Sequence, residues 1–486
     1  MEKPRTISGI HDAYDAKKLS PVELTRAYLD AISKSDHNAY LEVCSQRALA
    51  QAEAAQKQLA TKGKVPRAES PLFGIPLGIK DVLTIEGVAT TCGSRILEKY
   101  RPPYTATAVE RLEKAGAISL GKLNMDEFAM GSSNENSAFG PVKHPTHPDH
   151  VPGGSSGGSA TAVAAGLCAA ALGSDTGGSV RQPASFCGLV GFKPTYGRIS
   201  RYGLIAYASS LDQVGVLTNT VADAATLFDI MSGADGRDPT CVNQPPTKTA
   251  AALAAGGNID WKKTRVGVPK EYFGGGSQPD VQKAIQSSLD WFKSQGAQLV
   301  DISLPHTEHA IATYYLVAVA EASSNLARFD GVRFGSRPAA ADSAPDLAAF
   351  YRQCRAAFGP EVKRRIILGT YALSSGYYDA YYRRACQVRS LIARDFREAF
   401  MKVDVIAAPV SPVTAFKRGE KTADPLQMYL MDIFTIPASL AGLPALSVPC
   451  GKDGVGLPIG LHLIGAPFKE ESLLRFAQGF EKGGPK

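Results

Sequence analysis

Apolar positions at helical spacing open the chain. Leu24, Tyr28, Ala31 and Ile32 line one face behind Ser20-Pro21-Val22-Glu23, a capping box with proline in the first turn, so a helix starts there. An Ala-, Gln- and Lys-rich stretch over 48–59, ending near Gly63, predicts a second helix. From Leu72 the texture changes to short apolar segments bounded by glycine and proline. Residues 75–79 predict a strand that delivers Lys80 and Asp81 at its end; 107–114 predict a helix, 117–120 a strand, and 159–172 a helix packed through small residues. Further on, 265–268, 279–295 and 298–302 predict a strand, a helix and a strand, with Val281, Ile285, Leu289 and Phe292 on one helical face. Residues 403–408, 445–448 and 459–464 predict further buried strands, and 243–258 a surface loop. Strands interleaved with helices over this length imply a layered α/β fold.

Composition narrows the class. With 486 residues, 44% hydrophobic and 20% charged, the chain reads as an ordinary globular protein. Length alone suggests about three domains but also permits one large unit. A formal charge of +7 is mild, and the densest basic run, Lys363-Arg364-Arg365, is too short for a nucleic-acid patch. The polar start, Met1-Glu2-Lys3-Pro4-Arg5, does not read as a secretory signal. The apolar run 160–172 is too short to span a bilayer. Eight scattered cysteines without a C-x-x-C pair suit a reducing compartment. A cytoplasmic protein that does not enter membranes is expected.

Many of the glycines lie between Gly153 and Gly197, and two segments there carry candidate chemistry. One is Gly153-Gly154-Ser155-Ser156-Gly157-Gly158-Ser159; the other is Gly173-Ser174-Asp175-Thr176-Gly177-Gly178-Ser179-Val180-Arg181. Glycine beside serine lets backbone approach a substrate closely. Consecutive N–H groups in such a turn can converge on one oxyanion. A phosphate loop is excluded, because Ser159 stands where the lysine is required. Gly154-Ser155-Ser156-Gly157-Gly158 formally satisfies G-x-S-x-G, but a poor strand precedes it. Ser119-Leu120-Gly121-Lys122 matches S-x-x-K without its companion motifs. His144, His147 and His150 are spaced three apart, yet no acidic partner motif accompanies them, so no metal is expected. A serine nucleophile needs a base, and no histidine stands out for that role. Lys80, at the end of an apolar strand, can serve if burial makes it neutral; otherwise its ammonium simply pairs with Asp81.

The lysine segment and the two glycine-serine segments, in that order and with Ser155 and Ser179 separated by 24 positions (179 − 155), resemble the amidase signature family. The resemblance implies one amidase-signature unit over 1–486: a helical lead-in to about residue 65, a signature core over about 72–217, and a later α/β part over about 260–486. Its fold would be a mixed central β-sheet covered by helices on both faces. Ser179 would be the acylated nucleophile, and Ser155, on a cis peptide, would relay its proton to Lys80. The N–H groups of Thr176, Gly177, Gly178 and Ser179 would hold the oxyanion.

Residues 121–131 (GKLNMDEFAMG), 193–213, 321–331 (EASSNLARFDG) and 372–382 (ALSSGYYDAYY) are similar to one branch, the A subunits of glutamyl-tRNA(Gln) amidotransferases. That resemblance implies a glutaminase, acting on glutamine or asparagine, that feeds ammonia to a partner within a heterotrimer with B and C subunits. ATP and Mg would sit on the partner, and tRNA would be held mainly there, leaving no cofactor in this chain. By position in the matching segments, Tyr314, Arg365 and Asp432 resemble the contacts to the amino acid, Arg365 to its carboxylate and Asp432 to its ammonium. A stand-alone amidase acting on small carboxamides is the alternative. The histidine-rich stretch at His144–His150 departs from the family pattern.

Overall fold

The structure is a computed structural model that describes residues 3–256 and 259–486. Among the described residues, eleven strands share one mixed sheet: β1 (Tyr40–Val43), β2 (Pro76–Lys80), β3 (Ile118–Leu123), β4 (Ala170–Asp175), β5 (Val190–Lys193), β6 (Gln213–Thr218), β7 (Arg265–Pro269), β8 (Gln298–Ile302), β9 (Val405–Pro409), β10 (Ala445–Lys452) and β11 (Pro458–Ile464). Their spatial order is β1-β3-β2-β4-β6-β5-β10-β11-β9-β7-β8. Helices flank the sheet, giving the mixed α/β architecture that the sequence implied. The strands before residue 220 and those after residue 260 meet where β5 pairs antiparallel with β10, Phe192 opposite Leu446.

The arrangement of β3, β2 and β4 positions the site. These three neighbours run parallel, so their C-terminal ends open on the same edge. Their last residues are Leu123, Lys80 and Asp175. The loops that follow carry Asp126, Asp81 and the Thr176–Ser179 turn. A sheet edge where parallel strands end is where α/β folds place ligands, because the loops there converge. All residues of β2, β3 and β4 are buried, as expected for strands covered on both faces.

The capping box at Ser20 forms, with Glu23 N–H donating to the Ser20 hydroxyl at 3.3 Å, and the helix spans Pro21–Lys34. The next helix, Ser45–Lys62, ends at Gly63 in a left-handed conformation, φ 73°. The amphipathic stretch folds as the helix Pro279–Ser294, its Val281, Ile285, Leu289 and Phe292 buried. Two expectations are corrected. The small-residue stretch 159–172 is not one helix: a helix covers Gly157–Ala164, the chain turns at Gly166 (φ 68°), and Ala170–Asp175 is β4. Alanine gave the strand a helical texture, and burial on both faces removed the alternation that would have betrayed it. Residues 243–258 are not wholly loop, since Thr249–Ala254 is helical; Gly257 and Asn258 lie outside the described residues. Among the described residues no helix is long and apolar enough to cross a membrane.

Candidate active site

Lys80 ends β2 fully buried, at 0% exposure, and its Nζ lies 2.8 Å from the Ser155 hydroxyl, 2.8 Å from the Ser156 hydroxyl and 3.0 Å from the Ser174 hydroxyl. Desolvation lowers its pKa from 10.5 to about 7, against the pull of the Asp126, Asp175 and Asp212 carboxylates. The bland fate open to Lys80, pairing with Asp81, does not occur. Asp81 is taken by Lys122 at 2.8 Å, and by the Thr91 N–H at 2.9 Å. Lys80 therefore faces hydroxyls, which accept from an ammonium and can donate to a neutral amine.

The Gly154–Ser155 peptide is cis. Two hydrogen bonds and the close approach of Asp126 surround it. Gly154 N–H donates to Gln182 Oε1 at 3.0 Å, Asp126 N–H donates to the Ser155 carbonyl at 3.2 Å, and a Cβ on Gly154 would fall on the Asp126 carboxylate. Ser179 is 8% exposed, the outermost of the three candidate catalytic side chains. Its carbonyl accepts from the Ser156 N–H at 3.2 Å, which ties the two glycine-serine segments together. No hydrogen bond joins the Ser155 and Ser179 hydroxyls in this conformation.

The turn before Ser179 is held at both ends. The Thr176 hydroxyl donates to Asp212 Oδ1 at 2.7 Å. Asp175 accepts from the Val180 N–H at 3.2 Å and makes a two-pronged pair with Arg181, at 2.9 Å from both Nε and Nη2. Although burial opposes its ionisation, the Arg181 guanidinium holds the Asp175 carboxyl below the usual carboxylate range. Arg181 reaches on to the Thr435 carbonyl at 3.0 Å and the Ser439 hydroxyl at 2.9 Å. The later α/β part is thereby clamped onto the turn.

Tyr314 and Asp432 lie directly on that turn. A Cβ on Gly177 would stand 2.8 Å from the Tyr314 ring, and one on Gly178 would stand 2.9 Å from Asp432 Oδ1. Glycine is needed at both positions because these side chains touch bare backbone. Asp432 accepts from the Ser132 hydroxyl through Oδ2, while the buried Oδ1 has no protein partner. Burial raises its pKa to about 7. Arg365 is not a surface helix charge: it is 3% exposed, whereas the side chain of its neighbour Arg364 is about half exposed. Its Nε pairs with Glu361 Oε1 at 2.8 Å and its Nη1 donates to the Tyr207 hydroxyl at 2.7 Å. The guanidinium sits 5.2–5.6 Å from the ring centres of Tyr315, Tyr207 and Tyr429. A buried carboxylate with a free oxygen and a buried, oriented guanidinium suit the two charged ends of an amino acid.

Sequence reasoning did not single out Asp126, Ser156, Ser174, Asp212 or Ser132. Asp126 lies in the 121–131 segment, but nothing in its spacing from Ser155 signals that the two touch. The histidines of the departing loop serve structure. His144 is buried, its Nε2 2.8 Å from the Phe186 carbonyl, and burial lowers its pKa to about 4. The His147 ring lies edge-on between His144 and His150, at 5.5 and 5.6 Å.

A family model described as Amidase matches residues 23–474. The chain belongs to the amidase family. Among its relatives, the A subunit of glutamyl-tRNA(Gln) amidotransferase from Geobacter sp. (strain M21) is 55% identical over 480 residues, covering 98% of this chain and 96% of that protein. The crystal structure of the corresponding A subunit from Thermotoga maritima, likewise of glutamyl-tRNA(Gln) amidotransferase, aligns with a TM-score of 0.78 at 41% identity, over 99% of this chain and 95% of that one. Another member of this fold, the peptide amidase of Stenotrophomonas maltophilia, aligns with a TM-score of 0.78 at 29% identity, over 98% and 96% of the two chains.

Proposed function

We propose that this amidase hydrolyses the side-chain amide of glutamine, or of asparagine, as the A component of a tRNA-dependent amidotransferase. The ammonia it releases is used by a partner subunit to convert Glu-tRNA(Gln) to Gln-tRNA(Gln). The observation that carries the reading is a desolvated Lys80–Ser155 relay beside a turn that Asp432 touches and to which buried Arg365 is linked through Tyr207 and Asp212. The similarity to amidotransferase A subunits over 98% of the chain supports it. The partners are B and C subunits, with ATP and Mg bound by the partner and tRNA held mainly there.

In this mechanism the Ser179 hydroxyl attacks the amide carbonyl. Its proton passes through the Ser155 hydroxyl to neutral Lys80, which burial makes available near neutral pH. Charge developing on the carbonyl oxygen is met by the backbone N–H groups of Thr176 to Ser179, held rigid by Asp212 and Asp175. Lys80 returns the proton to the departing nitrogen, the C–N bond breaks and ammonia leaves an ester on Ser179. Water, activated by the same relay, frees the acid. Arg365 and Asp432 hold the α-carboxylate and α-ammonium, so that a free amino acid is preferred over an uncharged amide.

A glutaminase assay of the co-purified complex, with and without Glu-tRNA(Gln) and ATP, tests the reading. Ammonia release that depends on partner and tRNA is expected. Strong hydrolysis by the isolated chain, indifferent to both, would favour a stand-alone amidase.

A further inference from the structure

We propose that Glu127 is a positioning residue for glutamine: it fastens the helix that carries Arg365 to the loop that supports Ser155. The inference rests on the glutaminase reading and deepens it.

The loop leaving β3 sends two adjacent acids in opposite directions. Asp126 turns inward, its N–H on the Ser155 carbonyl at 3.2 Å and its Oδ2 accepting from the Asn134 N–H at 2.9 Å. Glu127 turns away, is 2% exposed, and accepts from the Gly359 N–H at 2.8 Å and from the Ser94 hydroxyl. Gly359 is the N-cap of the helix Pro360–Ala372 and brings no capping side chain of its own. Glu127 supplies that cap from a residue 232 positions earlier in the chain, and a carboxylate is the favoured group at a helix N-terminus. The fit leaves no slack, because a Cβ on Gly359 would fall on the Glu127 carboxylate.

The neighbouring residues reinforce the fastening. Phe128 and Ala129 adopt φ of 50° and 60°, left-handed values that non-glycine residues seldom take. This reversal sets the Phe128 ring edge-on to Phe358, immediately before the cap, at 5.6 Å, and tilted against Phe329 at 5.2 Å. Six residues into the helix stands Arg365, itself oriented by Glu361 of the first turn. One peptide unit, between Asp126 and Glu127, thus separates the support of the relay serine from the anchor of the guanidinium. A shift at the cap displaces Arg365 from the ligand carboxylate, and binding geometry lost in this way raises KM more than it lowers kcat.

The test uses the full chain co-expressed with its proposed partner subunits, with glutamine and butanamide as substrates. Glu127→Ala is expected to raise the KM for glutamine about tenfold, with a much smaller change in kcat, and to lower the glutamine-to-butanamide ratio of kcat/KM by about the same factor. Glu127→Gln, which keeps an oxygen for the Gly359 N–H, should restore most of the loss. Should Glu127→Ala fail to fold, Gly359→Ala displaces the same carboxylate and is expected to show the same split. Equal losses on both substrates, an unchanged KM, or a Gln variant as impaired as the Ala variant would overturn the role of Glu127. If the wild-type complex turns over no glutamine at all, it is the glutaminase reading that fails.

Discussion

Replacing Lys80 by methionine tests whether its amine is neutral where the chemistry needs it. The side chain is fully buried, and burial lowers its pKa from 10.5 to about 7. At 1.36 kcal/mol per pH unit, that gap corresponds to about 5 kcal/mol in favour of the neutral form. Below about pH 7 the folded and unfolded chains both carry the proton, so the full cost of burying the ammonium is present. Between about 7 and 10.5 only the unfolded chain carries it, so stability rises with pH by up to about 1.4 kcal/mol per unit. Above 10.5 the cost is gone. Lys80→Met keeps similar volume without the charge and removes this dependence. Between pH 7 and 9, above the values of about 6 to which burial raises Asp126 and Asp212, any stability advantage of the variant should shrink by about 2–3 kcal/mol. The assay is the shift in urea unfolding midpoint of the two proteins at each pH. A stability difference that does not change with pH would refute the neutral lysine, and with it the base.

Arg365→Ala is expected to cost glutamine hydrolysis about 1.5–3 kcal/mol in kcat/KM, the worth of a charge-assisted hydrogen bond, while butanamide loses much less; equal losses would refute its carboxylate role. Asp432, raised to about 7 by burial, must be ionised to hold an ammonium. Its carboxylate fraction grows as pH rises through 7, so the KM for glutamine should fall from pH 6 to 8, and Asp432→Asn should abolish that trend. Gly177→Ala would place a methyl 2.8 Å from the Tyr314 ring and tilt a proposed oxyanion donor. A drop in kcat of about 10²–10³-fold is expected, and full activity would show that this turn does not hold the oxyanion.

The parts of the fold legible in the sequence are those with a local cause. The Ser20 capping box, the Gly63 stop and the four-residue face of Pro279–Ser294 each act within a turn or two. The strand ending at Lys80 was marked by its flanking glycines and proline. β4 was not legible: its alanines read as helix, and burial on both faces erased the period of two. The site divides in the same way. Ser155 and Ser179 stand out because glycines crowd them, whereas Tyr314, Arg365 and Asp432 were reached only through family resemblance. The contacts of Tyr314 with Gly177 and of Asp432 with Gly178 are long-range and no local pattern encodes them. The Glu127 cap is the extreme case, joining residues 232 positions apart through a reversal at two non-glycine residues.

The central claim is that Ser179 becomes acylated by the side chain of glutamine. Rapid acid quenching of the complex during turnover, followed by peptide mass mapping, tests it most directly. A glutamyl ester on the peptide carrying Ser179, absent from Ser179→Ala along with ammonia release, is the predicted result. An adduct on another residue, or undiminished ammonia release by Ser179→Ala, would contradict the account.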